Sequence, residues 1–294
     1  MNELLDALVI GGGAAGLNGA IMLARSRRSV LVVDSGTPRN APADGVHGLL
    51  GLDGIPPAEL LSRGRDEVRG YGGQIVRGEV VKAEPGPGGF VVTLADGTEL
   101  RARRLLVATG LRDVLPDVKG LAEQWGRGVV HCSYCHGWEV RDEPIGVLAS
   151  VHHALLFRQL TDDLVFFANG TELDDDTRAK LTGRGIRIVE TPVEEIESTE
   201  DSITGVRLAD GEVVPRRVIA VMPTLLARTE GLEGLQLPLE DVPQGRRFVT
   251  GMAGTTPVKG VWVAGNATDL AAQVGASAAA GALAGAHMNA DLLA

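Results

Sequence analysis

The sequence predicts an α/β fold made of two βα domains, the second inserted into the first. Three observations carry that prediction. The polypeptide opens on an apolar strand, a glycine-rich turn, a helix and a further strand. A second βα series starts afresh at Pro144. The C-terminal stretch holds Val261–Ala264, Gly265 and a small-residue helix, another strand-to-helix junction. At 294 residues there is room for two domains of ordinary size. The expected division is 1–116 plus 243–294 for a discontinuous first domain and 117–242 for the insert.

Taken in order, Asp6–Ile10 reads as a strand, Gly16–Arg25 as a helix and Ser29–Val33 as a strand closed by Asp34. Thr37 to Pro57 is rich in Pro and Gly and too long for a mere connector, which marks it as a functional loop. A helix over Leu60–Arg69 and strands at Ile75–Val81, Phe90–Leu94 and Glu99–Ala102 follow, with Asp96-Gly97 as a hairpin turn. Arg104–Ala108 is a separate apolar strand ending in Ala108-Thr109-Gly110. A linker with Pro116 and Gly120 leads to the cysteine segment. The insert then alternates strand Ile145–Ala149, helix His152–Leu160, strand Leu164–Ala168, helix Asp174–Gly183 and strand Ile186–Glu190. A hairpin at Asp210-Gly211 and a strand at Arg217–Met222 complete it.

Composition excludes some functions. A net charge of −10 leaves no basic surplus to neutralise nucleic-acid phosphates. No segment reaches the roughly 18 apolar residues of a membrane span. The first residues, MNELLDALVIGGG, carry acids and run straight into a strand, so they do not read as a signal peptide. The expected location is therefore cytoplasmic. There, two cysteines point to catalysis or metal binding and not to a structural staple.

Gly11-Gly12-Gly13-Ala14-Ala15-Gly16 fits G-x-G-x-x-G, a weak signal alone in a protein with 40 glycines. Its context is what counts: a strand before, a helix after, and Asp34 closing the next strand 18 positions past Gly16. Gly11 permits the tight turn, Gly13 lets the backbone approach a pyrophosphate, and Gly16 allows close helix–strand packing. The helix N-terminus offers N–H groups to phosphates, and Asp34 accepts from ribose hydroxyls. The first domain thus reads as dinucleotide-binding, and the second βα series suggests a degenerate pyridine-nucleotide-type domain, both Rossmann-like.

The second chemical segment is His131-Cys132-Ser133-Tyr134-Cys135-His136-Gly137. At C-x-x-C spacing a disulfide closes over one helical turn, and a helix N-terminus lowers one thiol's pKa. The flanking imidazoles are candidate proton carriers. C-x-x-C-H also matches a c-type haem attachment site, a chemistry of exported proteins. Zinc would need four ligands, and only two cysteines exist. Two unrelated buried thiols are the plainest alternative. The expectation is a redox dithiol and no metal.

Gly11–Gly16, Asp34-Ser35-Gly36, Ala108-Thr109-Gly110, the mid-sequence C-x-x-C and Val263-Ala264-Gly265-Asn266 occur here in one order. Together they resemble the low-molecular-weight thioredoxin reductase family over essentially the whole sequence. Pro38-Arg39-Asn40-Ala41-Pro42, His47-Gly48, Gly54 to Leu61 and Cys135 to Glu139 are most similar to the branch of FAD-dependent dithiol oxidases, which close disulfides in natural products of the gliotoxin and holomycin type. The resemblance implies FAD as cofactor and a homodimer. It implies that Gly11, Gly13, Ala14, Ala15, Gly16, Asp34, Ser35, Arg39, Asn40, His47, Val80, Ala108, Thr109 and Gly110 hold FAD. Gly265 and Asn266 would meet its pyrophosphate and ribityl group, and Gln273 and Val274 the flavin ring. Asn266 stands where an acid is usual. Cys135 would face the flavin, Cys132 would exchange with substrate, and His136 replaces an acid as proton carrier.

The insert departs from the family. Strand Ile145–Ala149 runs into Ser150-Val151-His152-His153 with no glycine after Gly146 and a shortened turn. The strand ending at Ala168 turns at Asn169-Gly170 without arginines for a 2′-phosphate. His152 and His153 read as a solvated helix start, with ligand contact as the alternative. The expected function is therefore oxidation of a small-molecule or protein dithiol through Cys132 and Cys135. Electrons would pass to FAD and on to oxygen or a carrier protein, without a normal NADPH site. A reductase fed by NAD(P)H or ferredoxin and a non-enzymatic flavin-bearing redox sensor or scaffold are the rivals.

Overall fold

The computed structural model describes residues 4–200 and 202–294. Residues 1–3, part of the stretch read above as no signal peptide, lie outside them. Two compact units divide the protein, Met1–Asp113 with Leu225–Ala294, and Val114–Thr224.

The first unit begins with β1 (Leu4–Ile10), α1 (Ala14–Arg25) and β2 (Val30–Asp34). α2 (Pro57–Gly70), β3 (Gln74–Arg77), β4 (Val80–Gly86), β5 (Gly89–Leu94), β6 (Glu99–Val107) and β7 (Leu111–Val114) follow. The main sheet runs β3-β2-β1-β6-β5-β4, parallel from β3 to β6 and antiparallel beyond it. Its apolar patterning explains the split. Ala7 to Ile10 and Val30 to Val33 are buried without alternation, as strands covered on both faces must be. β5 alternates buried and half-buried residues, as a strand with one wetter face does. β6 is one strand where two were expected. Glu99 to Ala102 pair β5, while Arg101 to Val107 run along β1, and the guanidinium groups of Arg103 and Arg104 are taken by Asp6 and Asp291.

The second unit contains β8 (Val129–Val130), α3 (Ser133–His136), β9 (Ile145–Leu148), α4 (Val151–Phe157), β10 (Leu164–Phe167), α5 (Asp175–Thr182) and β11 (Arg187–Val189). β12 (Val193–Ser198), β13 (Ile203–Leu208), β14 (Val213–Val214) and β15 (Val218–Val221) complete it. Five strands form a parallel sheet in the order β11-β10-β9-β15-β8. β12, β13 and β14 form an antiparallel sheet, with Asp210-Gly211 in the turn between its last two strands.

The remaining sequence adds β16 (Thr224–Ala227), β17 (Leu239–Val242), β18 (Gly245–Phe248), β19 (Val261–Val263) and α6 (Val274–Asp291). The return to the first unit falls at Leu225, not at the expected residue 243. The cause is a sheet ordered β17-β18-β16-β7 and a core in which Leu225 joins Leu111 and Leu270, while Leu232, Leu235 and Phe248 join the main core. β19 lies parallel to β6. α6 packs backbone to backbone on α1: a Cβ at Gly281 would stand 1.9 Å from the Ala15 carbonyl oxygen, and one at Gly285 2.5 Å from that of Gly19. Among the described residues no helix is long and apolar enough to cross a membrane.

Candidate active site

The glycine loop ends β1 and opens α1. Gly11 has φ +108°, and a Cβ there would stand 2.3 Å from the Ala108 carbonyl oxygen, so only glycine lets the turn lie against the end of β6. A Cβ at Gly12 would meet the Asp34 carboxyl at 2.7 Å, and one at Gly16 the Gly11 carbonyl oxygen at 1.9 Å. Gly13 is the N-cap of α1 and differs from these. Nothing lies within 4 Å of its added Cβ, the helix has no side-chain cap, and its first turn holds no acid. The result is open space in front of a bare helix N-terminus, the arrangement that suits an anionic phosphate. Ala14, Ala15 and Gly16 form that first turn. Asp34, at the end of β2, accepts from the Gly36 N–H at 3.1 Å.

The other candidate cofactor residues also belong to the first unit. Gly265 lies against Ala15, its added Cβ 2.8 Å away. Beside it the Ser277 hydroxyl, near the start of α6, is buried with no hydrogen-bond partner. Asn266 donates its amide to the Asp269 and Ala272 carbonyls at 3.1 and 2.7 Å, so here it fixes the loop leading into α6. Gln273 is the N-cap of α6 and Val274 its first residue. Thr109 donates to the Arg228 carbonyl at 2.9 Å, and Gly110 turns with φ +69°. Ser35 and Thr37 hydroxyls meet at 2.9 Å, and Val80 opens β4. Arg39 is gripped by Asp113 at 2.7 and 2.6 Å, a bidentate pair. The Asn40 carbonyl accepts from the Ala43 N–H at 3.1 Å. Asp53 accepts from the Gly48 N–H at 2.9 Å and faces His47 Nδ1 at 3.4 Å, contacts that hold its carboxyl below the usual range. Asp113, Asp53 and Ser277 were missed in the sequence, which carries no spacing signal for any of them. An open phosphate cradle, an acid at the end of β2 and an orphaned buried hydroxyl fit FAD.

The cysteine segment belongs to the second unit. Cys132 and Cys135 are joined as a disulfide across the single turn α3, with Cα atoms 5.2 Å apart. Cys132 is the N-cap, and its carbonyl accepts from the Cys135 and His136 N–H groups at 3.2 and 3.1 Å. Gly137 lets this turn seat on the fold: a Cβ there would stand 2.4 Å from Leu160 Cδ1 and 2.1 Å from the Ser133 carbonyl oxygen. The Ser133 hydroxyl is buried without a partner, while Tyr134 and Trp138 are largely exposed and Arg141 lies 4.3 Å over the Trp138 ring. His136 is half-buried at the end of the turn. Among the described residues no cluster of three or more His, Cys, Asp or Glu could hold a metal.

The second βα junction is built differently from the first. Two residues, Ala149 and Ser150, separate β9 from α4, against Gly11 to Gly13 at the first. Ala149 takes φ +56° where a glycine would be at ease. Ser150 caps α4 by accepting from the His153 N–H at 3.4 Å, so the helix end is closed by its own hydroxyl. His153 departs from the expected solvated start: it is 4% exposed, and only His152 faces solvent. At the end of β10, Asn169 accepts from the Val193 N–H at 3.0 Å and Gly170 turns with φ +86°. Arg178 does line the open cavity there, but it is paired to Glu190 at 2.5 Å.

The model of the pyridine nucleotide-disulphide oxidoreductase family matches residues 5–285. The thioredoxin reductase tcpT of Claviceps purpurea (strain 20.1) is 33% identical over 309 residues, covering 100% of this chain and 96% of that protein. The thioredoxin reductase sirT of Leptosphaeria maculans is 34% identical over 310 residues, covering 98% and 94%. The crystal structure of HlmI is similar with a TM-score of 0.92 at 44% identity, covering 100% of this chain and 94% of that one. The chain therefore belongs to the pyridine nucleotide-disulphide oxidoreductase family as a thioredoxin reductase-like oxidoreductase, in a family of FAD-binding flavoproteins.

Proposed function

We propose that this protein oxidises a dithiol by exchange with Cys132–Cys135 and that no nicotinamide nucleotide feeds it. The observation that carries the reading is the contrast between the two βα junctions. The first presents an uncapped helix end and open space at Gly13, whereas the second is shortened and capped by Ser150. In this reading Gly11, Gly13 and Gly16 cradle the pyrophosphate of FAD, Asp34 binds the ribose, and Gly265, Asn266, Gln273 and Val274 receive the rest. Ser35, Arg39, Asn40, His47, Val80 and Ala108 to Gly110 complete its surroundings.

A substrate thiolate attacks Cys132 Sγ and breaks the disulfide, forming a mixed disulfide and releasing the Cys135 thiolate. The second substrate thiol displaces Cys132 and closes the product disulfide, leaving both cysteines reduced. His136 takes up and returns the protons. FAD, when bound, supplies two-electron acceptance from the reduced pair and passage to oxygen or a carrier protein, a chemistry that amino-acid side groups lack. The likeness to tcpT, sirT and HlmI supports thioredoxin reductase-like thiol–disulfide exchange. In the same reading the substrate is a small-molecule or protein dithiol and the protein is a cytoplasmic homodimer.

An anaerobic titration tests the reading. A dithiol should bleach the flavin absorbance stoichiometrically in wild type, and Cys132→Ser or Cys135→Ser should abolish that response. NADPH and NADH should act far below the ~10 s⁻¹ typical of enzymes. Bleaching by NADPH at that rate would restore the reductase, and bleaching by reduced ferredoxin alone its ferredoxin-fed form. Bleaching by a dithiol with no catalytic turnover under either oxygen or an added one-electron acceptor would point to a sensor.

A further inference from the structure

The Ser150–His153 pair lies at the start of α4 and plays no part in the chemistry above, yet it reaches the cysteine segment. Ser150 Oγ lies 2.8 Å from His153 Nδ1 and also accepts the His153 backbone N–H. The ring hydrogen-bonds the backbone of His131, the residue before Cys132, a contact that favours the protonated ring and so is donated by it. With Nδ1 facing the Ser150 hydroxyl, the donor is Nε2–H. The His131 and His153 rings are 5.3 Å apart, and Phe157 stacks on His153 at 6.4 Å. His131 Nδ1 in turn meets the Val221 carbonyl at 3.3 Å, at the end of β15.

We propose that His153 is a positioning residue for the dithiol site, gripping the backbone at His131 so that Cys132 is held in line for attack. The inference rests on the proposed thiol exchange. Cys132 is fixed on its C-terminal side by α3, whose N–H groups bond its carbonyl. On its N-terminal side β8 ends at Val130, and the two histidines take over. Exchange requires the attacking and leaving sulfurs to align, so looseness on that side slows it. A permanent donor is needed for such a grip. Burial first, then the neighbouring His131 and His152, hold His153 down to about 4, so the ring is neutral with Nδ1 accepting and Nε2–H donating. Ser150 fixes that tautomer.

The test is the anaerobic rate at which dithiothreitol reduces the FAD-loaded protein at pH 7, read by loss of flavin absorbance, because the reduced Cys132–Cys135 pair hands its electrons to FAD. Each reaction turns dithiothreitol into its cyclic disulfide and gives two electrons and two protons to the cysteines. His153→Phe keeps a ring beside Phe157 but has no donor, and should slow reduction about tenfold, the effect of one lost hydrogen bond. His153→Gln places an amide N–H where Nε2 stood and should restore the rate to within ~3-fold of wild type. Ser150→Ala, a milder change, should slow it ~3-fold and Ser150→Thr should not. Wild-type rates in both His153→Phe and Ser150→Ala would overturn the inference. So would a His153→Phe variant that works while His153→Gln does not, because packing alone would then matter. A wild-type flavin left unbleached by dithiothreitol overturns the proposed function, and this inference with it.

Discussion

His153 carries a measurable cost at acid pH. Its folded-state pKa is pushed down from 6.5 to about 4, by burial first and then by the charges of His131 and His152. The unfolded protein therefore binds a proton that the native state refuses. Its neutral ring leaves stability intact above pH ~6.5, and stability falls as the pH drops from there to about 4. A shift of that size corresponds to ~3 kcal/mol at the acid end. Urea unfolding at pH 7, 5.5 and 4.5 should show this slope in wild type and a flatter one in His153→Gln. Equal slopes in the two proteins would place the acid sensitivity elsewhere. The sequence showed the histidine but not its burial, because His152 and His153 differ only in which side of a short helix they face. A Ser three residues ahead was the one signal present, as a cap for the His153 N–H. Cys132, Cys135 and the glycines were legible because their chemistry lies in fixed local spacing. Asp113 was not, since it reaches Arg39 across 74 residues of sequence.

At the scale of elements, the N-termini of α1 and α6 stand together because glycine leaves no bulk in the seam between the two helices. Gly19, Gly281 and Gly285 let the two backbones touch. Gly281→Ala puts a methyl group 1.9 Å from the Ala15 carbonyl oxygen, an atom that cannot rotate away. Overpacking of this kind costs typically 1–3 kcal/mol and occasionally more. We expect a loss of ~3 kcal/mol or more in denaturant unfolding, together with weaker retention of FAD. The control is Gly70→Ala at the end of α2, where nothing lies within 4 Å and the change should be neutral or stabilising by up to ~1 kcal/mol. Equal effects in both would mean that the close seam does not position the cradle. The small-residue helix was visible from composition, and its partner was not. Strands β12 and β16 to β18 escaped notice for a related reason. They are short, and β12, β17 and β18 are rich in charged residues, so their pairing is set by neighbours distant in sequence and not by their own pattern.

For the molecule as a whole, the division at Asp113 and Leu225 makes a testable statement about where the cofactor's energy goes. Every residue assigned to FAD falls in the first unit, whose two segments are joined through β6 with β19 and through α1 with α6. A ligand that bridges the glycine loop at residue 11 and the α6 N-terminus at residue 274 ties those segments together. It should stabilise the fold by mass action, about 2.7 kcal/mol at a hundredfold excess over Kd. In a protein of this size each kcal/mol moves the melting temperature by roughly 2–4 °C. Adding FAD to stripped protein should therefore raise the melting temperature by ~5–10 °C. FMN should give little, because it lacks the adenosine ribose and the second phosphate that the proposed reading assigns to Asp34 and Gly13. Matched scans with FAD, FMN and ADP at equal excess separate the contributions. FAD should give the largest shift, and ADP should retain part of it through the pyrophosphate and ribose. A shift of equal size from FMN would mean that the glycine loop does not hold a dinucleotide, and the assignment of Gly11 to Gly16 and Asp34 would fall with it.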